Sequence, residues 1–186
     1  MTTSETTRVA VLVGSLRADS LNRKLAEVLR DQAPAGVTID IVDGLGQIPF
    51  YNEDVDGENA PAAVTALRDA IGAADRVLVI TPEYNGTMPA VLNNAIDWAS
   101  RPFGEGAIKG KPFAVVGTSV GQFGGKWAHD DTRRSAGVAG AVVVEDVDLA
   151  HAYAWGTDPS SDEETIAKFV AALGDLAGFT PEVTAA

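Results

Sequence analysis

No cysteine occurs in this chain of 186 residues. That absence excludes disulfides, thiolate catalysis and cysteine-held zinc or iron–sulfur centres. Histidine is almost as scarce, with two residues. A histidine-rich metal site is therefore not expected, and no metal ligand is assigned. Long apolar runs are missing as well: none approaches the roughly 20 residues that a membrane-crossing helix needs. Residues 1–7 are polar and lack the basic-then-apolar order of a secretory signal, so a cytoplasmic location is the expectation. Basic side chains are outnumbered, 14 Lys and Arg against 26 Asp and Glu, which leaves a net charge of −12. Such a balance disfavours nucleic acid and anionic membrane as partners. What the chain does have is 46% hydrophobic residues. At this length they suit one domain with a sizeable core, assigned to residues 8–179, with mobile tails at 1–7 and 180–186.

Strand-like and helix-like segments alternate. Short β-branched runs at 9–13, 37–42, 77–80, 112–117 and 142–144 read as buried strands. Helical periodicity falls at about 23–30, 62–72, 89–98, 126–136 and 162–176, with Val64, Leu67 and Ile71 on one face of the second. An irregular loop over 43–60 carries Ile48-Pro49-Phe50-Tyr51-Asn52, and another loop spans 104–110. Strands alternating with helices predict a parallel sheet covered on both faces, an α/β three-layer sandwich. Five such strands fit the flavodoxin-like order 2-1-3-4-5.

Two loops carry the chemistry. After the third strand comes Thr81-Pro82-Glu83-Tyr84-Asn85-Gly86-Thr87-Met88-Pro89, with Pro89 at a permitted helix-opening position. In open α/β sheets, ligands bind beyond strand ends of this kind. The loop offers peptide groups and a flat tyrosine but no nucleophile, which suits holding a planar heterocycle. After the first strand comes Gly14-Ser15-Leu16-Arg17-Ala18-Asp19-Ser20-Leu21-Asn22, feeding a helix. A helix N-terminus presents free N–H groups and positive partial charge to a phosphate. Ser15, Ser20 and Asn22 add short polar groups, and Arg17 adds a fork-shaped cation. Neither Gly-x-Gly-x-x-Gly nor Gly-Lys-Ser/Thr is present, so dinucleotide and P-loop sites do not match. The cradle therefore points to a terminal phosphomonoester, as in the mononucleotide FMN.

Gly14-Ser15-Leu16-Arg17-x-x-Ser20-x-Asn22, Pro82-Glu83-Tyr84-Asn85 and Leu92-x-Asn94-Ala95-Ile96-Asp97-Trp98 together resemble the NADPH-dependent FMN reductase family, near its bacterial quinone, azo-dye and chromate reductases. The resemblance runs from about Val9 to the last helix. It implies a flavodoxin-like fold, one FMN per subunit and a homodimer or tetramer. The implied activity moves a hydride from NADPH or NADH to FMN, then electrons to quinones or similar flat acceptors.

On that reading the cofactor-binding set is Ser15, Arg17, Ser20, Leu21, Asn22, Pro82, Glu83, Tyr84, Asn85, Gly86, Ser119, Gly121 and Gln122. The last three come from a third loop, 118–125, whose glycines allow close backbone approach. Each group also has a plainer reading. Ser20 can be a helix cap with Arg17 on the surface, 82–87 a turn, and 118–125 a flexible connection. Asp19 is expected to point away from a phosphate. Glu83 is taken as structural or edge-positioning, since hydride transfer needs no general base, and no catalytic side chain is assigned. Phe50 and Tyr51 are either local core or, as the resemblance implies, neighbours of the partner subunit's flavin. Trp98 is core or a dimer contact. Asn93 stands where many relatives have lysine, which removes an ion pair that would support a tetramer. His129 and His151 are expected at the surface or an interface, and residues 129–134 as a solvated helix face. Arg101, Lys109, Arg133 and Arg134 are unranked candidates for an NADPH 2′-phosphate.

Three rivals share the topology. A flavodoxin-like electron carrier, reduced by a partner protein, fits the acidity but not the Gly-Ser-Leu-Arg loop. A phosphoacceptor signalling domain would need clustered carboxylates after the first strand, where Gly14-Ser15-Leu16 stands. A phosphatase of this topology would need a cysteine.

Overall fold

Val9, Ala10, Val11 and Leu12 have no exposed surface at all. A strand buried on both faces must have helices on both sides, and the arrangement follows from that. The structure, a computed structural model, describes residues 6–57 and 60–181. Of the tails at 1–7 and 180–186, residues 1–5 and 182–186 lie outside the described residues, as do 58–59 of the 43–60 loop; Thr7 already belongs to the first strand.

Strands β1 (Thr7–Val13), β2 (Val37–Ile41), β3 (Arg76–Ile80), β4 (Pro112–Val120) and β5 (Val142–Tyr153) form one parallel sheet in the order β2-β1-β3-β4-β5. The expected order is therefore the observed one. Alternate residues of β1 serve opposite faces. Val9, Val11 and Val13 meet Leu25 and Leu29 of α1 (Leu21–Asp31) and Phe169 and Leu173 of α5 (Glu163–Gly178). Ala10 and Leu12 join the core built by α2 (Ala62–Ala73), α3 (Ala90–Ala99) and Ala136 of α4 (Lys126–Val138).

The largest departure from expectation is β5, twelve residues rather than the three of 142–144. Glu145, Asp146 and Asp148 break its apolar run, which hides it from a periodicity search. An edge strand tolerates those charges because one side faces water. Its pairing with β4 shifts register between Phe113 and Val115, where a bulge accommodates the acidic stretch. Pairing then continues to Val120 and Tyr153, so β4 also outruns its expected end at Gly117.

The described part of the 43–60 loop is pinned rather than irregular. Leu45–Gln47 and Glu53–Val55 are 3₁₀ turns. The Trp98 indole N–H donates to Pro49 O at 2.8 Å, and Asn94 donates to the same carbonyl while accepting from Tyr51 N. Arg68 donates to Asp56 at 2.9 Å and stacks on Trp98. Trp98 is thus core, with no exposed surface, and Tyr51 packs edge-on against it. Phe50 is left outside, 81% exposed.

Candidate functional site

The sheet order reverses between β1 and β3, whose helices leave toward opposite faces, and a crevice opens there beyond the strand ends. Hydrogen bonds stitch its walls together. Gly14 N donates to Ile80 O at 2.9 Å and Thr81 N to Val116 O at 3.1 Å. The Asn22 amide spans the sheet: its Nδ2 donates to Thr118 O and its Oδ1 accepts from Thr118 N, both at 2.9 Å. Asn22 is buried. Its side chain is therefore tied to β4 and locks the first loop against the third, a role that motif reading alone did not reveal.

Nine of the thirteen residues singled out from sequence line one cleft of about 240 Å³: Ser15, Arg17, Ser20, Leu21, Asn22, Pro82, Glu83, Tyr84 and Ser119. Arg17 is the one basic side chain among the described lining residues, and Asp19 is exposed and not part of the lining. Ser20 does cap α1, accepting from Arg23 N at 3.2 Å. That bond uses the hydroxyl oxygen as acceptor and leaves its proton free to donate. No acidic residue occupies the first turn of α1, so the positive end of the helix is not neutralised locally. Arg23 and Lys24 are already paired, with Glu27 and Asp43 and with Asp158 respectively. The arrangement can take a phosphate at α1 with Arg17 and two hydroxyls around it. A volume of 240 Å³ falls below the ~300–1000 Å³ of pockets that engulf a whole ligand. It suits a phosphate and a polyol chain.

Asn85, Gly86, Gly121 and Gln122 do not line this cleft. Asn85 and Gly86 have φ of +54° and +75° and sit at the centre of a Tyr84–Thr87 turn, closed by reciprocal 3.1 Å bonds between Tyr84 and Thr87. Positive φ at both central residues is the type I′ geometry that Asn-Gly favours. Glu83 Oε2 accepts from Ala128 N at 3.1 Å, in the first turn of α4. Its carboxylate thus ties this loop to the third flank.

Sequence reading missed Val120, Tyr153 and Trp155, which complete the lining. Val120 and Tyr153 are paired across β4 and β5. The only signal was two aromatics, one ending β5 and one just past it, beyond the three residues expected of that strand.

The expected solvated face at 129–134 needs correcting. His129 has no exposed surface, and neither ring nitrogen has a hydrogen-bond partner among the described residues. Arg133 is 6% exposed; its Nη2 donates to Val115 O and Val147 O and pairs with Asp148 at 2.8 Å. It cannot hold a nucleotide phosphate. α4 packs these residues against β5 because the charged part of that strand supplies their partner. Arg101, Lys109 and Arg134 instead share a groove of about 610 Å³ between α3 and α4, rimmed by Phe103 and Val138. His151 is half-buried, edge-on to Phe169, and burial lowers its pKa. Among the described residues, no helix is long and apolar enough to cross a membrane.

The sequence profile of the NADPH-dependent FMN reductase family matches residues 7–156. A 2-hydroxy-1,4-benzoquinone reductase from a Burkholderia species is 47% identical over 126 residues, covering 68% of this chain and 68% of that protein. A quinone reductase of Pseudomonas putida is 47% identical over 132 residues, 71% of this chain and 70% of its own length. Among solved structures, FerB, a flavoenzyme NAD(P)H:(acceptor) oxidoreductase from Paracoccus denitrificans, superposes with a TM-score of 0.79 at 41% identity. The match covers 92% of this chain and 97% of FerB.

Proposed function

Because this chain belongs to the NADPH-dependent FMN reductase family, we propose that it is an FMN-dependent NAD(P)H oxidoreductase acting on quinones or similar flat acceptors. The observation that carries this reading is the single cleft that gathers Arg17, Ser15 and Ser20 at the N-terminus of α1 with Pro82 and Tyr84. FMN, when bound, supplies the redox chemistry, taking a hydride from NAD(P)H and yielding electrons to the acceptor.

The protein's own residues position and exclude. Arg17 and the two hydroxyls would hold the phosphate, while Asn22 keeps that loop in register with β4. The Asn85-Gly86 turn would offer backbone groups to a bound ring, and the N-terminus of α3 would lend it positive partial charge. Ser119 lines the other flank. Glu83 is engaged with the Ala128 N–H, so no side chain is assigned as general acid or base. NAD(P)H and acceptor use the open mouth in turn, a ping-pong order. We place this activity in one domain, residues 8–179, in the cytoplasm. A homodimer is supported by Phe103 and Val138, 88% and 85% exposed beside the α3–α4 groove.

An anaerobic spectrum of the FMN-reconstituted protein tests the reading. Addition of NADPH or NADH alone is expected to bleach the flavin band within seconds, and a quinone is expected to restore it. Bound FMN that neither nucleotide bleaches would instead identify an electron carrier needing a partner protein. Arg17→Ala is expected to weaken FMN binding about 10- to 100-fold, the loss of a charged hydrogen-bonding pair. Riboflavin, which lacks the phosphate, is expected to bind both proteins alike. Equal loss for both flavins, measured by calorimetry, would show that Arg17 does not hold the phosphate.

A further inference from the structure

Tyr84, Asn85, Gly86 and Thr87 are all exposed, yet the turn they form does not stand free. Side chains tie both of its ends to α4. Before it, Glu83 Oε2 accepts from Ala128 N at 3.1 Å. At its end, Thr87 Oγ1 donates to Asp131 Oδ2. Its tip rests on the same helix: a Cβ at Gly86 would stand 3.7 Å from Trp127 Cε3. Ala128 and Asp131 are three residues apart, so the two anchors share one face of α4, about 4.5 Å apart along its axis. One anchor would leave a pivot, whereas two fix the tilt. Reciprocal Tyr84–Thr87 bonds carry that placement to Tyr84, which lines the cleft. The opposite wall is held separately. Ser119 pairs with Ala152 across β4 and β5. Gly124 lies directly on β5, where a Cβ would be 2.6 Å from Ala150 O. Two residues later α4 begins, so the helix is the fixed reference against which the Tyr84 wall is set.

We propose that Asp131, acting through Thr87, is a positioning residue that sets the spacing between the Tyr84 and Ser119 walls of the cleft, and with it the alignment of a bound flavin for hydride transfer. The inference rests on the FMN reading and adds a residue that does not itself line the cleft. The Asp131 side chain is 20% exposed, and its other oxygen is engaged by Arg134. A carboxylate held through both oxygens offers the Thr87 hydroxyl one fixed direction. Such a charge-assisted bond is about twice as strong as a neutral one. The phosphate end of the cleft is built by Ser15, Arg17 and Ser20, so the Thr87–Asp131 bond bears on alignment rather than on affinity. Rate is steep in alignment: a misplacement of about 1 Å can cost about 100-fold.

Thr87→Val and Asp131→Ala remove the bond from either side, while Thr87→Ser and Asp131→Asn keep a donor and an acceptor. In the first pair, anaerobic reduction of the bound FMN at saturating NADPH or NADH is expected to slow about 10- to 100-fold. FMN affinity, by calorimetry, is expected to stay within about 3-fold of wild type. The conservative pair is expected to restore most of the rate. Amide hydrogen exchange of the apoprotein, which needs no cofactor, is expected to quicken at Tyr84 and Thr87 in the first pair only. An unchanged reduction rate in both Thr87→Val and Asp131→Ala, or unchanged exchange in both, overturns the proposal and leaves the FMN reading intact. So does a rate that the conservative pair fails to restore, or one that falls in step with FMN affinity and melting temperature, because the bond would then serve stability alone. A wild type that binds no FMN, or whose FMN neither nucleotide reduces, overturns the proposal and the proposed function together.

Discussion

Gly117→Ala is expected to destabilise the protein by about 3 kcal/mol or more and to abolish retention of flavin. A Cβ at this position would lie 2.1 Å from the Thr81 carbonyl oxygen and 2.8 Å from Thr81 N. Those are backbone atoms at the end of β3, where Thr81 N already donates to Val116 O. Neither atom can retreat without parting two central strands. The clash therefore falls at or beyond the upper end of the ~1–3 kcal/mol usual for overpacking. For a chain of this size the melting temperature should drop by about 6–12 °C. Flavin retention should fail with it, because the corner displaced is the one that aims Pro82 and Tyr84 at the cleft. Gly174→Ala is the control. It lies inside α5, with its nearest atom, Pro34 Cγ, at 3.9 Å, and should gain about 0.5–1 kcal/mol from reduced backbone freedom in the unfolded chain. A thermal melt in which the Gly117 variant matches wild type would show that the Thr81–Pro82 corner yields easily.

The second large effect is expected at Asp148. Its carboxylate receives Arg133 Nη2 at 2.8 Å and Lys126 Nζ at 3.2 Å, with His129 Nδ1 3.7 Å away. His129, then Arg133 and Lys126, hold this carboxyl far below the usual carboxylate range, against the opposing pull of burial. By distance the guanidinium is the stronger tie, since 3.7 Å exceeds a hydrogen bond. Asp148→Asn removes the charge that compensates Arg133 inside the protein. The expected loss is about 3 kcal/mol at pH 7, the low end for breaking a buried pair. The low end applies because Asp148 keeps 30% of its side chain in water and Asp130 lies 3.6 Å from Arg133.

The sign of the pH dependence follows from the direction of the shift. A carboxyl depressed in the folded state stabilises it fully above the unfolded pKa, about 3.9, and that contribution fades as pH falls toward the folded value. Wild type and Asp148→Asn should therefore differ by a constant amount in urea unfolding from pH 7 to about 5 and converge in stronger acid. A gap that stayed constant down to pH 2 would show that the carboxylate's charge is not what stabilises the cluster.

Much of this was open to reading because it is local. Alternation of short β-branched runs with amphipathic helices follows from burial on two faces, and both periods can be read in windows of a dozen residues. The Gly14–Asn22 loop could be recognised because a helix N-terminus attracts a phosphate through its own peptide groups, whatever surrounds it. The Asn85-Gly86 turn likewise follows from the backbone freedom of those two residues. The sequence by itself therefore determined the sheet order, the two main loops and the class of cofactor they suit.

Tertiary structure decided what depends on partners far along the chain. Asn22 turns to Thr118, 96 residues away, so its side chain serves the join between loops. Arg133 and His129 were read as surface because charge on a helix usually means solvent. They are buried because Asp148 stands opposite on β5. That strand was itself concealed, since an edge position lets charged residues interrupt its pattern. Finding β5 at its full length is what brings Tyr153 and Trp155 to the cleft, and with them the aromatic side of the site. Local chemistry sets which elements form and what their ends attract. Long-range pairing, invisible to any short window, sets which polar groups are already spoken for and which remain free to bind.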